Sequence, residues 1–178
     1  MKGKILKGSI IAIILIAFLI ACVSAESDDQ LTIQTLSKGG LVIHYPSDWG
    51  VSKATSQYSI MAISKLDSID AAGIGQVNIN IEKKPLEGEF YSFVNTTYKS
   101  MQHDKTFTLV SSGESTLGDK QALEYVYISN EHGVEREHKA VWFEKGGQAY
   151  VLLYSAPVEY FDSNLYVFDY LLSDIQIT

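Results

Sequence analysis

The sequence predicts an α+β fold: a central antiparallel sheet flanked by helices, an α-β-α sandwich, set behind an N-terminal leader. Three observations predict it. Strand-like segments follow one another across tight turns such as Asn130-Glu131-His132-Gly133 and Lys145-Gly146-Gly147, which favours antiparallel pairing. The segment Gln148–Ala156 is apolar on both faces, with Ala149, Val151 and Leu153 opposite Tyr150, Leu152 and Tyr154; such a strand belongs in the middle of a sheet covered on both sides. Two further segments, 85–103 and 157–172, repeat their apolar residues at helical spacing and supply the two covers.

The chain begins with an export signal. Lys2, Lys4 and Lys7 precede an apolar run of 14 residues, Gly8 to Ala21, shorter than the roughly 18 residues of a membrane-spanning helix. Leu19-Ile20-Ala21-Cys22 reads as a bacterial lipobox, which makes Cys22 a candidate lipid-attachment site. Val23-Ser24-Ala25 fits ordinary signal-peptide cleavage before Glu26, and an uncleaved anchor is a third reading. Residues 1–25 are therefore assigned to a signal peptide or lipoprotein leader, 26–34 to a tether and 35–178 to the folded domain. The expected location is outside the cytoplasm, either secreted or held at the outer face of the cytoplasmic membrane.

Within the domain, Leu31–Thr35 alternates as a short first strand. Leu41–Tyr45 forms the next, with Leu41, Ile43 and Tyr45 on one face and Val42 and His44 on the other. Pro46 ends it, and Trp49 just beyond is large enough to plug one end of a core. Tyr58–Lys65 is a further strand. Gln76–Glu82 alternates most cleanly: Val77, Ile79 and Ile81 point inward, Gln76, Asn78, Asn80 and Glu82 toward water. A helix is expected from Pro85, with Phe90, Phe93, Val94, Thr97, Tyr98 and Met101 as its apolar stripe. Four strands follow, at 106–112, 121–130, 134–144 and 148–156. The closing helix starts at Pro157 with Phe161, Leu165, Phe168, Leu171 and Leu172 inward, and Asp174–Ile177 is a tail that pairs at an edge.

Three of these stretches resemble the PsbP-like domain family. Leu41-Val42-Ile43-His44-Tyr45-Pro46-Ser47-Asp48-Trp49 looks like that family's strand into a Tyr-Pro-x-x-Trp corner. Leu117 to Tyr125 is similar to its glycine turn into a strand. Gly147 to Pro157 with the following apolar helix is similar to its last long strand and closing helix. The resemblance implies an α-β-α sandwich, shared with a Ran-binding nuclear import factor, and non-enzymatic docking proteins. Plant PsbP is an extrinsic subunit of the oxygen-evolving complex; the bacterial-style leader here carries over the fold and the extracytoplasmic setting, not oxygen evolution.

Composition narrows the function. Of 14 basic residues three lie in the leader, so the remainder carries 11 against 21 acidic residues, a net charge of −10. Such a body repels nucleic acid and anionic headgroups. The single cysteine lies in the leader, which excludes a disulfide framework or a structural zinc cluster within one chain. Neither a Gly-x-Ser-x-Gly elbow nor a GxGxxG loop is present, so no enzyme and no cofactor are expected. His132 and His138, near Glu131, Glu135 and Glu137, are the candidate metal ligands; a solvated hairpin end is the plainer reading, and Arg136 beside His138 opposes a cation. His44 reads as a half-buried polar residue, His103 as a helix C-terminal partner, Asp48 as a turn residue, and Asn95-Thr96-Thr97 fits an N-glycosylation acceptor. Trp49, Tyr160, Tyr166 and Tyr170 are candidate partner-binding residues, although two covered sheet faces would also consume many aromatics. The expected function is an exported, membrane-tethered, non-catalytic domain that docks a membrane or cell-surface protein; the alternative is an extracytoplasmic carrier of a small ligand or metal.

Overall fold

The structure, a computed structural model, describes residues 32–54, 56–131 and 133–178. The leader with Cys22, and His132, lie outside the described residues. Among the described residues no helix is long and apolar enough to cross a membrane.

Two antiparallel sheets are present. A small one runs in the order β1 (Ile33–Lys38), β2 (Leu41–Pro46), β10 (Gln176–Ile177). The seven-stranded one runs β3 (Trp49–Val51), β4 (Ser59–Lys65), β5 (Asn78–Pro85), β9 (Gln148–Pro157), β8 (Val134–Lys145), β7 (Lys120–Glu131), β6 (Thr108–Leu117). The doubly apolar strand β9 is the fourth of the seven, the central place its sequence predicts. The tail pairs as expected, with Gln176 opposite Val42 and Ile177 opposite Leu41.

Helix α1 (Phe90–Met101) lies on one face of the large sheet and α2 (Val158–Asp174) on the other. The chain is thus an α-β-α sandwich. On the α1 side Phe90, Val94 and Tyr98 pack on Leu123, Tyr125, Tyr127, Ala140, Trp142, Ala149 and Val151. The Tyr98 and Tyr125 rings stack with centroids 3.7 Å apart, and the Trp142 indole N–H donates to the Tyr98 hydroxyl at 2.9 Å. Burial pushes the Tyr98 hydroxyl pKa well up, so it stays protonated. On the α2 side Phe161, Val167, Phe168 and Leu171 meet Ile79, Ile81, Phe143, Leu152 and Tyr154, together with Leu41, Ile43 and Tyr45 of the small sheet. Each such fully buried side chain contributes roughly 1.5–3 kcal/mol of transfer free energy.

Two local expectations are corrected. Trp49 is wholly buried, packed in the α2-side core; it plugs the core and offers no surface to a partner. Helix α1 begins five residues after Pro85, because β5 continues through Lys83, Lys84 and Pro85, which pair with Tyr150, Ala149 and Gln148. Gly88, at φ 81°, then turns the chain, and the Glu89 carboxylate caps the helix by accepting from the Tyr91 and Ser92 amides. β1 overlaps the short first strand expected at Leu31–Thr35, and its residues Ile33 to Lys38 pair with β2 from Pro46 back to Leu41.

Candidate functional site

The polar face of β5 is less open to water than its alternation suggests: Asn78 and Asn80 are half-buried and Glu82 is buried. It forms the floor of a cavity of about 190 Å³ on the α1 side of the sheet, roofed by the segments around Ser52–Ala54 and Ile74–Gly75. Register builds the floor. Ser64 of β4 is opposite Asn78 of β5, Asn78 is opposite Ser155 of β9, and Ser155 is opposite His138 of β8. One polar row therefore crosses four strands, and Asn80 and Glu82 extend it along β5. Ser64, Glu82, Arg136, His138 and Ser155 are all more than nine-tenths buried, and all five line this cavity.

Hydrogen bonds fix these groups. His138 sets Nδ1 against the Ser155 hydroxyl at 2.7 Å and Nε2 against the Ser129 hydroxyl at 2.8 Å, and its ring stacks on Tyr127 with centroids 4.5 Å apart. Burial, then the neighbouring Arg136 guanidinium, brings the His138 pKa down to about 4. The imidazole is therefore neutral at pH 7. Arg136 donates to the Gln76 carbonyl at 2.6 Å and to its side-chain oxygen at 3.2 Å. Glu82 accepts from the Asn80 amide at 3.0 Å and pairs with Lys84 at 3.0 Å. Lys84 also sits over the Tyr58 and Trp142 rings, at 5.5 and 5.3 Å. The Ser64 hydroxyl donates to Ser52 at 2.7 Å. The roof approaches so closely at Gly75 that a Cβ there would lie 2.1 Å from the Ser64 side chain; only glycine fits.

His138 is thus a buried cavity wall, not part of a solvated hairpin end as the turn spacing suggests. Even spacing does place it on the face of Arg136, opposite Glu135 and Glu137. Its burial, its low pKa and the adjacent guanidinium disfavour a cation. Among the described residues no group of three or more His, Cys, Asp or Glu side chains is placed to hold a metal; the partner proposed for it, His132, lies outside those residues. His44 bonds Asp174 near the end of α2, which ties the small sheet to the helix. Asn95 accepts from the Tyr125 hydroxyl at 2.6 Å. Among the described residues the buried side-chain polar atoms without a hydrogen-bond partner are Asp48 Oδ1 and Trp49 Nε1.

The second candidate surface is the outer face of α2. Tyr160, Tyr166 and Tyr170 are 53%, 56% and 41% exposed. The inner stripe is filled by Phe161, Asn164, Val167, Phe168 and Leu171, and this leaves the three tyrosines outside the core.

No protein-family model matches the chain, and no curated protein matches it in sequence. Solved structures do match. Cyanobacterial PsbP (CyanoP) from Synechocystis sp. PCC 6803 is similar at 16% identity and a TM-score of 0.58, over 87% of this chain and 98% of that one. LpqN of Mycobacterium tuberculosis, involved in cell envelope biogenesis, is similar at 14% identity and 0.57, over 85% and 93%. PA94 of Pseudomonas aeruginosa, of unknown function, is similar at 9% and 0.53, over 79% and 94%. The fold is therefore PsbP-like, as the three sequence stretches imply.

Proposed function

We propose that this chain is an exported, N-terminally anchored, non-catalytic docking domain that binds a membrane or cell-surface protein through the outer face of α2. The observation that carries this reading is the exposure of Tyr160, Tyr166 and Tyr170 on a helix whose inner stripe is complete without them. Tyrosine gives a partner a rigid, amphipathic anchor at low entropic cost. The basic leader, the apolar run to Ala21 and the lipobox ending at Cys22 support export and anchoring, and the likeness to LpqN, which is involved in cell envelope biogenesis, is in keeping with that address. A non-catalytic role agrees with the chemistry of His138: a base with a pKa of about 4 is a poor proton acceptor for Ser155 at neutral pH.

The test is a pull-down from detergent-solubilised membranes with the intact N-terminus as bait. The wild-type chain captures a partner; Tyr166→Ala/Tyr170→Ala loses it while keeping a cooperative melt. Equal capture by both chains refutes the assignment of the face.

The cavity favours a second reading, that of a carrier for a small polar molecule, because five buried polar side chains converge on it. At about 190 Å³ it is below the roughly 300 Å³ at which drug-sized pockets begin. Co-purification of a small molecule that Ser155→Ala or Asn80→Ala releases would support this reading.

A further inference from the structure

The outward face of α2 is patterned. Glu159, Asp162, Tyr166, Asp169 and Tyr170 are all exposed, and at 3.6 residues per turn they fall within about 100° of arc. They form one stripe about 17 Å long, two carboxylates at its start and a third between the two phenol rings. The 17 residues of α2 hold four carboxylates and not one lysine or arginine. Solvated helix faces ordinarily mix signs, since opposite charges three or four residues apart stabilise a helix and like charges destabilise it. Glu159 in the first turn suits the positive end of the helix dipole, but Glu159 and Asp162 are like-charged at i, i+3, and Asp174 lies at the negative end.

The sheets beneath add charge of both signs: a carboxylate near Asp162, and cationic or polar partners for Asp169 and Asp174. Glu137 of β8 has its pKa raised, by burial first and then by the Asp162 carboxylate. Lys139 reaches Asp169 at 3.1 Å and Glu124 at 3.5 Å, and His44 holds Asp174. Among the described residues neither Glu159 nor Asp162 forms an ion pair.

We propose that this stripe docks a Lys- or Arg-rich segment of a partner protein, with the partner's cations lying between the carboxylates and against the Tyr166 and Tyr170 rings. The inference rests on the docking role given above and names its partner by charge. Carboxylates and the negative faces of phenol rings attract the same group, so both components of the stripe select a cation. Arginine suits it best, because a guanidinium can bond a carboxylate in its plane while stacking on a ring. An acidic or purely apolar segment would be repelled or leave the carboxylates desolvated and unmatched.

Two measurements on the full chain in non-ionic detergent test this. The first is binding of a synthetic arginine–serine repeat peptide, followed by fluorescence anisotropy. The wild type should bind it, more weakly as salt rises, and should not bind the peptide with glutamine in place of arginine. Glu159→Gln/Asp162→Asn/Asp169→Asn, with the tyrosines intact, should weaken binding about ten-fold or more, and Tyr166→Ala/Tyr170→Ala several-fold. A control, Glu87→Gln/Glu114→Gln/Asp119→Asn, alters as many charges elsewhere and should bind as the wild type does. Equal weakening by the control means diffuse attraction to an acidic body and overturns the proposal, as does absence of binding. The second measurement is the membrane pull-down with the same variants. Capture lost by the tyrosine variant but kept by the carboxylate variant preserves docking and overturns the basic partner; capture kept by both overturns docking as well. A cooperative melt for each variant establishes that binding, not folding, has changed.

Discussion

His138 couples stability to pH in a direction and amount that the structure sets. Its imidazole is almost fully buried, and its pKa falls from 6.5 to about 4 through burial and the Arg136 charge. The folded value lies below the unfolded one, so on acidification the unfolded chain takes up this proton first. The neutral ring's contribution is therefore fully present above about pH 6.5, drains away as pH falls toward 4, and falls no further below that. One pH unit in this window is worth about 1.4 kcal/mol, so the total loss is about 3 kcal/mol. Glu137 acts oppositely: its raised pKa means the folded carboxyl is protonated first, which favours folding as pH falls. The comparison must therefore be with His138→Gln, which leaves Glu137 in place. Urea unfolding at pH 7.5, 6, 5 and 4 should show the wild type losing about 3 kcal/mol more than the variant between the extremes. NMR should show one histidine ring that does not titrate between pH 8 and 5. A parallel pH dependence of the two chains, or a His138 ring that titrates near pH 6.5, would refute the placement of this ring in a buried polar wall.

Other expectations follow from packing. Gly75→Ala drives a Cβ into the Ser64 side chain and should cost about 1–3 kcal/mol of unfolding free energy; Gly75→Ala/Ser64→Gly should recover part of that. Trp49→Ala empties a site in the α2-side core and should cost about 3–5 kcal/mol. Trp49→Phe should cost far less, because the buried indole N–H has no acceptor to lose. Tyr98→Phe removes the acceptor of the Trp142 indole N–H and should cost about 1–3 kcal/mol, read in the same urea titrations. Tyr166→Ala and Tyr170→Ala should each change stability by no more than about 0.5 kcal/mol, as surface substitutions do.

Much of the architecture is legible in the chain because side-chain periodicity reports which face a residue occupies. Val77, Ile79 and Ile81 point to one core, and the two apolar faces of Gln148–Ala156 demand a cover on each side; both are found. Periodicity does not report what lies above a face. Asn78, Asn80 and Glu82 alternate as a solvated edge would, and His138 and Arg136 share a strand face as expected, yet all five meet under a roof formed by the loops at 52–54 and 74–75. That roof depends on Gly75 closing against Ser64, for which the lone signal is a glycine in a loop. The start of α1 was hidden for a different reason. Pro85 suits both the first turn of a helix and the end of a strand, and pairing with Gln148 decides for the strand. Trp49 shows the reverse limit: an aromatic beside a proline corner fits a core plug and a binding anchor equally well until its burial is known.

The small sheet has a consequence for how the body is completed. β2 gains one neighbour from the residues just before it, but its other neighbour consists of Gln176 and Ile177, and the Thr178 amide closes onto the Gly40 carbonyl at 2.9 Å. The two flanks of β2 thus come from opposite sides of the domain sequence, one local and one more than 130 residues away, so this seam closes only after a long loop has been closed. Removing Gln176, Ile177 and Thr178 would leave Leu41 and Val42 with an open edge.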